Sequence, residues 1–350
     1  MEKEVIVLNE ARKVTLTAYL QDVEGEFGNI PKRPGILVLP GGGYQMCSDR
    51  EADPVAFPYL KAGYQVFVLR YSVKKDALWP QPLEDYDAAM DLIRSRAQEW
   101  KLYPDKIAVI GFSAGGHLAG AAATMAKNRP AAAILGYAVL NEDVKGCNRS
   151  APSVVDAVDD DTCPCFLFAS RTDNVVPVAN SIEFMQALNE HDISFESHVY
   201  AYGPHGFSTC DSSVQDKDTV MCDRIPDWVA DSIGWLKDVL GDFGKGGMTK
   251  PACGHYSSGD REAYLSVDCT MGLLMSNPKA MAILGDVLGG MMGGAGADAA
   301  ANPMTEDMDQ ADIMVMVQRM KLRDALAYGS VSDEMVEALD ARLRQIENIR

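Results

Sequence analysis

Long apolar runs are missing from this 350-residue sequence, and no stretch approaches the ~20 apolar residues of a membrane-spanning helix. The opening, MEKEVIVLNEARK, carries charges within its first four positions, and its apolar run is only Val5–Leu8. That pattern predicts a strand rather than a secretory signal. We therefore expect a cytoplasmic location and no membrane partner.

A cysteine framework is missing as well. The eight cysteines are scattered, and the one close pair, Cys163 and Cys165, lacks the second pair that would complete a zinc site. This spacing argues against a small disulfide-stapled fold and favours buried free thiols in a reducing compartment. We expect no metal site.

Positive charge is also scarce. The sequence has 32 lysines and arginines against 50 aspartates and glutamates, a formal net charge of −18. A field of this sign repels phosphate backbones, so nucleic acid is not an expected partner, and neutral substrates are favoured over anionic ones. The 47% of hydrophobic residues and 23% of charged residues are ordinary for a globular protein.

Residues 1–242 alternate apolar runs with helical patterns. The predicted strands are Val5–Leu8, Val14–Leu20, Gly35–Leu39, Gln65–Arg70, Ile107–Ile110, Ala133–Tyr137, Cys165–Ala169 and Phe195–Tyr200. The predicted helices are Pro54–Lys61, Pro82–Trp100, Gly115–Lys127, Pro177–His191 and Pro226–Leu240. This alternation predicts an α/β fold with a mostly parallel sheet flanked by helices. Because no helix separates the first two runs, we expect an antiparallel start.

One helix start has two interpretations. Ser48-Asp-Arg-Glu51 fits a capping box, whereas Asp53-Pro54 fits an N-cap followed by proline at the first helical position. A helix begun at Ser48 would carry Pro54 in its interior. We therefore favour Asp53 as the cap.

The texture changes near residue 242, so we divide the chain into a domain of residues 1–242, a glycine-rich linker of residues 243–265 and a helical module of residues 266–350. The module has three amphipathic patterns and one predicted flexible stretch: helices at Met271–Leu288, near Met304–Met320 and at Ser332–Ile349, and the stretch 295–303. Three short helices make a marginal core. We expect them to dock on the first domain or on a second subunit, which would give a homo-oligomer.

Gly111-Phe-Ser113-Ala-Gly115 lies between a predicted strand and a predicted helix. This G-x-S-x-G context is typical of a strained turn that presents a nucleophilic serine over the edge of a sheet. Side chains two positions before or after Ser113 would collide there, which accounts for both glycines. The backbone N–H of Ala114, at the helix start, would face an oxyanion formed on Ser113. The alternative is a glycine-rich helix start with a capping serine.

Three glycines, Gly41 to Gly43, follow an early strand in ILVLPGGGYQ. Backbone amides of such a loop can reach a substrate carbonyl only if no Cβ stands in the way. We assign Gly42 and Gly43 as oxyanion donors. A phosphate-cradling loop is the alternative, but the Gly-Lys-Ser/Thr ending of a P-loop is missing.

A serine nucleophile needs a base, and the base needs an orienting acid. Asp173 follows the strand Cys165–Ala169, and His205 follows the last strand in a Gly-Pro-His-Gly loop that can carry its ring to Ser113. We assign both to a triad with Ser113. The remaining histidines fit less well, because they lie within a helix, at a helix end, inside a strand or beyond the linker: His117, His191, His198 and His255.

These residues resemble a known family. PGGGYQMCSDREADPVAFPYLKAGYQVFVLRYSV, GFSAGGHLA and GPHGFS together resemble the α/β-hydrolase serine esterases, and most closely the bacterial acetyl-xylan-esterase-like proteins, relatives of the hormone-sensitive-lipase and prolyl-oligopeptidase-like groups. The resemblance covers about residues 15–240. One departure is Pro40, which stands where lipase loops carry histidine and leaves open what braces the loop. The C-terminal hundred residues resemble small helical modules of some gut-bacterial carbohydrate enzymes.

The resemblance implies a cofactor-free esterase for short acyl esters, such as acetyl groups on hemicellulose-derived oligosaccharides. Tyr44, Tyr71 and Trp79 would then line the substrate pocket, although core packing accounts for them equally well. Two other functions stay open: a prolyl-oligopeptidase-like peptidase, and a non-catalytic scaffold that recruits a partner through the tail helices.

Overall fold

The computed structural model describes residues 1–23, 25–27, 30–292, 309–329 and 331–349. The chain forms two compact units, Met1–His255 and Tyr256–Arg350. Their boundary falls inside the segment 243–265 that the sequence assigns to a linker.

An eight-stranded sheet forms the centre of the first unit. Its strands are β1 (Glu2–Asn9), β2 (Val14–Leu20), β3 (Arg33–Leu39), β4 (Gln65–Arg70), β5 (Leu102–Phe112), β6 (Ala132–Gly136), β7 (Cys165–Ser170) and β8 (Phe195–Tyr200). Their order across the sheet is β1-β2-β4-β3-β5-β6-β7-β8. The pairs β1–β2 and β2–β4 are antiparallel and all later neighbours are parallel. The predicted mostly parallel sheet with an antiparallel start is confirmed.

Helices connect or follow the strands: α1 (Asp53–Lys61), α2 (Gln81–Ser95), α3 (Ser113–Thr124), α4 (Ala179–Glu190) and α5 (Trp228–Leu240). Side chains of α1 and α5, among them Tyr59, Trp228 and Leu236, share one buried cluster with alternate residues of β3, Ile36 and Val38. The strands β3 and β7 are buried along their whole length, as expected for parallel strands covered on both faces.

Several helix ends differ from the predictions, and those of α1 and α2 have a visible physical reason. Helix α1 has Ala52, not Asp53, at its cap position, and the Asp53 carboxylate lies 3.6 Å from the Lys3 ammonium instead of capping the first turn. Helix α2 ends at Ser95 rather than at Trp100. The residues after it form turns, and the Trp100 ring packs 5.2 Å from that of Phe67 in β4.

Helix α5 ends at Gly241, whose φ of +87° favours glycine. A Cβ at this position would lie 2.1 Å from the Thr249 carbonyl oxygen. The chain then forms a short hairpin, β9 (Phe243–Gly244) and β10 (Gly247–Met248). The glycine-rich segment therefore contains local structure rather than a featureless linker.

The second unit is helical. Its helices are α6 (Met271–Ser276), α7 (Pro278–Met292), α8 (Gln310–Arg319), α9 (Leu322–Tyr328) and α10 (Asp333–Leu343). Leucines from several of them form a separate buried cluster, among them Leu274, Leu326 and Leu343. None of the helices within the described ranges of the chain has both the length and the apolar character needed to cross a membrane.

The tail helices follow their predictions only in part. The predicted helix Met271–Leu288 is broken between α6 and α7, because Pro278 cannot continue a helix and the Asn277 side chain caps the next one. Helix α9 has no separate counterpart among the predicted helices.

Helix α10 starts after Ser332, the first residue of the predicted helix, whose side chain accepts from the Met335 N–H, but it ends at Leu343 rather than at Ile349. The predicted flexible stretch 295–303 and the start of the second predicted tail helix lie outside the described residues.

Candidate active site

The three residues assigned to a triad lie beyond the carboxyl ends of β5, β7 and β8. Ser113 directly follows β5, Asp173 lies in the turn after β7, and His205 lies in the loop after β8. Because these strands run parallel on one side of the sheet, their carboxyl ends meet along one edge. The topology therefore brings together side chains that are far apart in sequence.

Hydrogen bonds link these three side chains in series. The Ser113 Oγ lies 2.9 Å from His205 Nε2, and His205 Nδ1 lies 2.7 Å from Asp173 Oδ2. The other carboxylate oxygen of Asp173 accepts the backbone N–H groups of Val175 and Val176 at 2.8 and 2.9 Å. The Asp173 side chain is 1% exposed and that of His205 is 17% exposed. A buried carboxylate thus contacts an imidazole that is partly open to solvent, which is the geometry that nucleophilic catalysis requires.

Ser113 sits in a strained turn. Its φ is +52°, an unfavourable value for a residue with a Cβ. A Cβ on Gly111 would lie 2.1 Å from the Gly115 carbonyl oxygen, and one on Gly115 would lie 2.2 Å from that of Leu39. The close approach of β5, α3 and the end of β3 therefore requires both glycines.

The predicted oxyanion donors lie on two segments beside Ser113. Gly42 and Gly43 have positive φ values of +127° and +61°, and within the described part of the chain neither N–H has a hydrogen-bond partner. The Ala114 N–H lies in the first turn of α3, where amides lack an intrahelical acceptor. A Cβ on the preceding Gly41 would lie 3.1 Å from the Ser113 Cβ, so the glycine loop runs directly against Ser113.

The aromatic residues assigned to the substrate pocket take different positions. Tyr44 and Tyr71 are 1% and 2% exposed. The Tyr71 hydroxyl donates to the Pro40 carbonyl oxygen at 2.6 Å, and the Tyr44 hydroxyl lies 2.7 Å from His117 Nδ1. For these two residues, packing around the glycine loop accounts for the residue type. Trp79 is half-buried, with its ring 5.4 Å from that of His117.

His117 is fully buried beside the glycine loop. Its Nε2 lies 2.8 Å from the Pro152 carbonyl oxygen, which can only accept, so Nε2 carries the proton and Nδ1 accepts from the Tyr44 hydroxyl. Burial lowers the pKa of His117 to about 4. The ring is therefore neutral near pH 7, and it joins the glycine loop to the segment that contains Pro152.

The other three histidines have partners away from Ser113. His191 Nδ1 lies 2.8 Å from an Asp160 carboxylate oxygen, and His198 Nε2 lies 2.9 Å from one of Glu196. His255 Nε2 lies 3.0 Å from the Asp160 carbonyl oxygen. His205 is thus the histidine that the fold brings to the serine.

Two residues near the site escape the sequence analysis. Glu51, which belongs to the capping-box alternative that the sequence disfavours, is buried, and its carboxylate accepts the Gly41 N–H at 2.8 Å and the Tyr137 hydroxyl at 2.6 Å. The Tyr137 ring lies 5.0 Å from that of His205. The signal that points to Tyr137 is its position directly after β6, at the same sheet edge as the triad.

Two family models match adjoining parts of the chain. The model described as BD-FAE matches residues 28–144, and that of the prolyl oligopeptidase family matches residues 142–239. The first range contains Ser113 and the glycine loop, and the second contains Asp173 and His205.

Two curated relatives carry names from carbohydrate chemistry. An endo-1,4-beta-xylanase B of Butyrivibrio fibrisolvens is 33% identical, with 51% of this chain and 33% of the xylanase covered. An acetylxylan esterase of Xylanibacter ruminicola is 27% identical, with 51% of this chain and 42% of the esterase covered. The chain therefore spans less than half the length of these two relatives.

Similar solved structures cover a larger share of this chain than these two relatives do. An alpha/beta hydrolase enzyme from a Medee basin deep-sea metagenome library is 43% identical with a TM-score of 0.65, covering 69% of this chain and 98% of its own. A carboxylesterase from Lactobacillus plantarum WCFS1 is 27% identical with a TM-score of 0.62, covering 68% of this chain and 97% of its own. An acetyl ester-xyloside bifunctional hydrolase from Caldicellulosiruptor lactoaceticus is 27% identical with a TM-score of 0.59, covering 68% of this chain and 96% of its own.

Proposed function

Because the chain belongs to the α/β-hydrolase family, among relatives that are carboxylic ester hydrolases, we propose that its first unit is a serine esterase for short-chain acyl esters. The observation that carries this proposal is the row Asp173–His205–Ser113, with its distances of 2.7 and 2.9 Å. A serine in hydrogen-bond reach of a histidine that a buried carboxylate orients is equipped for acyl transfer.

Acylation follows from this geometry. His205 Nε2 takes the Ser113 proton as Oγ attacks the ester carbonyl, and Asp173 stabilises the imidazolium that forms. The negative charge on the former carbonyl oxygen is held by the N–H groups of Gly42, Gly43 and Ala114. His205 then gives its proton to the leaving alcohol, and the acyl group remains on Ser113.

Deacylation repeats these steps with water. His205 takes a proton from the water that attacks the acyl carbon, and the same amides hold the second oxyanion. The proton returns to the Ser113 Oγ as the acid leaves. The groups that act in these steps are the triad, the N–H groups of the glycine loop and of Ala114, the substrate and water.

The substrate class that we propose is an acetyl ester on a hemicellulose-derived oligosaccharide. Two relatives support it by name, an acetylxylan esterase and an acetyl ester-xyloside bifunctional hydrolase. The net charge of −18 supports a neutral substrate over an anionic one. The half-buried Trp79 is the aromatic residue that we retain as a candidate wall of the pocket.

A panel of nitrophenyl esters and acetylated xylo-oligosaccharides tests this proposal. We expect kcat/KM for acetyl and propionyl esters to exceed that for octanoyl esters, and we expect acetate release from the oligosaccharides. The Ser113→Ala variant is the matched control, and it should lose several orders of magnitude in kcat while it stays folded. A preference for octanoyl esters would contradict the acyl-length proposal.

A peptidase is the second candidate, because the prolyl oligopeptidase family model matches residues 142–239. The same panel should therefore include prolyl peptide nitroanilides. Faster cleavage of these amides than of acetyl esters would favour the peptidase.

A cytoplasmic location, and association through the C-terminal helices, stay predictions from the sequence. Cell fractionation would test the location, and light scattering would test the association.

A further inference from the structure

A buried carboxylate lies behind the glycine loop. Glu51 is 5% exposed and lies in a single helical turn between the loop and α1. Its Oε2 accepts the Gly41 N–H at 2.8 Å, and its Oε1 accepts the Tyr137 hydroxyl at 2.6 Å. Burying a carboxylate is costly unless it is well bonded. Both of its bonds go to segments that form the proposed active site rather than to the neighbouring helix.

The directions of these bonds are fixed by their partners. The Ser208 N–H donates to the Tyr137 hydroxyl oxygen at 3.2 Å, which leaves the Tyr137 proton for Glu51. The Gly41 N–H can only donate. Both carboxylate oxygens therefore act as acceptors, which matches an ionised Glu51. Burial raises the pKa of Glu51, and the two hydrogen bonds and the nearby His205 and Arg50 offset this rise only in part.

The same group of residues reaches the catalytic histidine. The Tyr137 ring packs edge-on to the His205 ring, with centroids 5.0 Å apart. Ser208, three residues after His205, donates through its hydroxyl to the Arg50 carbonyl oxygen at 2.5 Å. The segment next to Glu51 and the histidine loop are therefore tied together by side-chain and backbone bonds.

We propose that Glu51 is a positioning residue that fixes the glycine loop through Gly41 and the ring of His205 through Tyr137. The inference rests on the proposed function, since Ser113 and His205 define the geometry that is held. It also explains what holds the glycine loop in place although Pro40 stands where lipase loops carry histidine. Tyr71 holds the Pro40 carbonyl, and Glu51 holds the next amide.

This role predicts a specific effect of substitutions on kcat and KM. Oxyanion donors and the base act in the transition state, so their displacement lowers kcat more than it raises KM. A carboxylate that served only stability would, when replaced, lower the unfolding temperature and leave the kcat of the folded molecules unchanged.

Three variants test the proposal in the full-length protein. Glu51→Gln keeps the size of the side chain but can accept through only one terminal atom, Glu51→Ala removes both bonds, and Tyr137→Phe keeps the ring on His205 without the hydroxyl. Tyr86→Phe is the matched control, because it also removes a buried hydroxyl, one that donates to the Asn128 carbonyl oxygen at 3.0 Å away from the site. Each is assayed below its own unfolding midpoint with an activated acetyl ester.

We expect kcat to fall about tenfold in Glu51→Gln and Tyr137→Phe and about a hundredfold in Glu51→Ala, since losing a single oxyanion donor costs ~10²–10³ in kcat. KM should stay within about threefold of wild type, and Tyr86→Phe should keep wild-type kcat. If Glu51→Ala does not fold, the other two variants carry the test.

If the folded Glu51→Gln and Tyr137→Phe proteins have the kcat of wild type, the inference is overturned. The proposed function still holds in that case, provided that the wild-type protein hydrolyses the ester. A wild type that neither hydrolyses esters nor reacts at Ser113 with a phosphonate would overturn both.

Discussion

Acid should weaken the first unit through His117, the fully buried histidine beside the glycine loop. Its pKa is lowered by burial to about 4, against about 6.5 in an unfolded chain. The nearby Lys145 charge also lowers it, while the bond to the Pro152 carbonyl opposes the shift. Because the fold disfavours the protonated ring, stability from this group is fully present above about pH 6.5 and is lost as pH falls towards 4.

The size of the effect follows from linkage. A difference of about 2.5 pKa units corresponds to about 3 kcal/mol in total, of which about 2 kcal/mol is lost between pH 7 and pH 5. Other groups titrate in the same range, so the comparison needs a variant without the imidazole. His117→Gln can still donate to the Pro152 carbonyl but has no titrating ring.

Urea unfolding followed by tryptophan fluorescence, at several pH values from 7 to 4.5, measures this difference. The stability advantage of wild type over His117→Gln should shrink by about 2 kcal/mol between pH 7 and pH 5. Tyr86→Phe, which removes a buried hydrogen bond but no group that titrates in this range, should keep a constant difference from wild type. An advantage over His117→Gln that does not change with pH would refute the reasoning.

The remaining predictions concern the strained turn at Ser113, the carboxylate of Asp173 and the second unit. Gly115→Ala should destabilise the protein by about 3 kcal/mol or more, because its Cβ would meet the Leu39 carbonyl oxygen. Gly234→Ala, in the open interior of α5, should stabilise the protein by about 0.5–1 kcal/mol. Thermal unfolding measures both changes. Asp173→Asn should lower kcat about 10⁴-fold with the fold intact, as circular dichroism would check, and a drop of less than about tenfold would count against the acid assignment. Truncation after His255 should keep activity on an activated acetyl ester within about tenfold, less than about 1.4 kcal/mol of barrier; a folded but inactive truncation would show that catalysis needs the tail.

Much of the fold could be predicted because its signals are local. Continuous apolar runs and turn residues indicate the eight strands, and the stretch around Ser113 carries its own geometry in Gly111 and Gly115. The break at Pro278 shows the limit of this approach, since apolar spacing alone extends one predicted helix across a residue that cannot continue it.

The residues that escape prediction act over long sequence distances. Glu51 looks like a helix-start residue from its neighbours, and its bonds to Gly41 and Tyr137 depend on how β3 and β6 lie in the sheet. Tyr44 and Tyr71 follow the glycine loop and β4, which suggests a pocket, yet their hydroxyls bond inside the protein. Local patterns cannot show which way a side chain turns once the layers pack.

Labelling with a serine-directed phosphonate tests the central claim most directly. The account predicts one phosphonyl group per chain, located by mass spectrometry on Ser113, with ester hydrolysis lost in proportion to labelling. Ser113→Ala should take up none, and His205→Ala should react far more slowly, because the base lies 2.9 Å from the Ser113 Oγ. A folded wild type that stays unlabelled, or one that loses activity through a label on another residue, would contradict the assignment of Ser113 as the nucleophile.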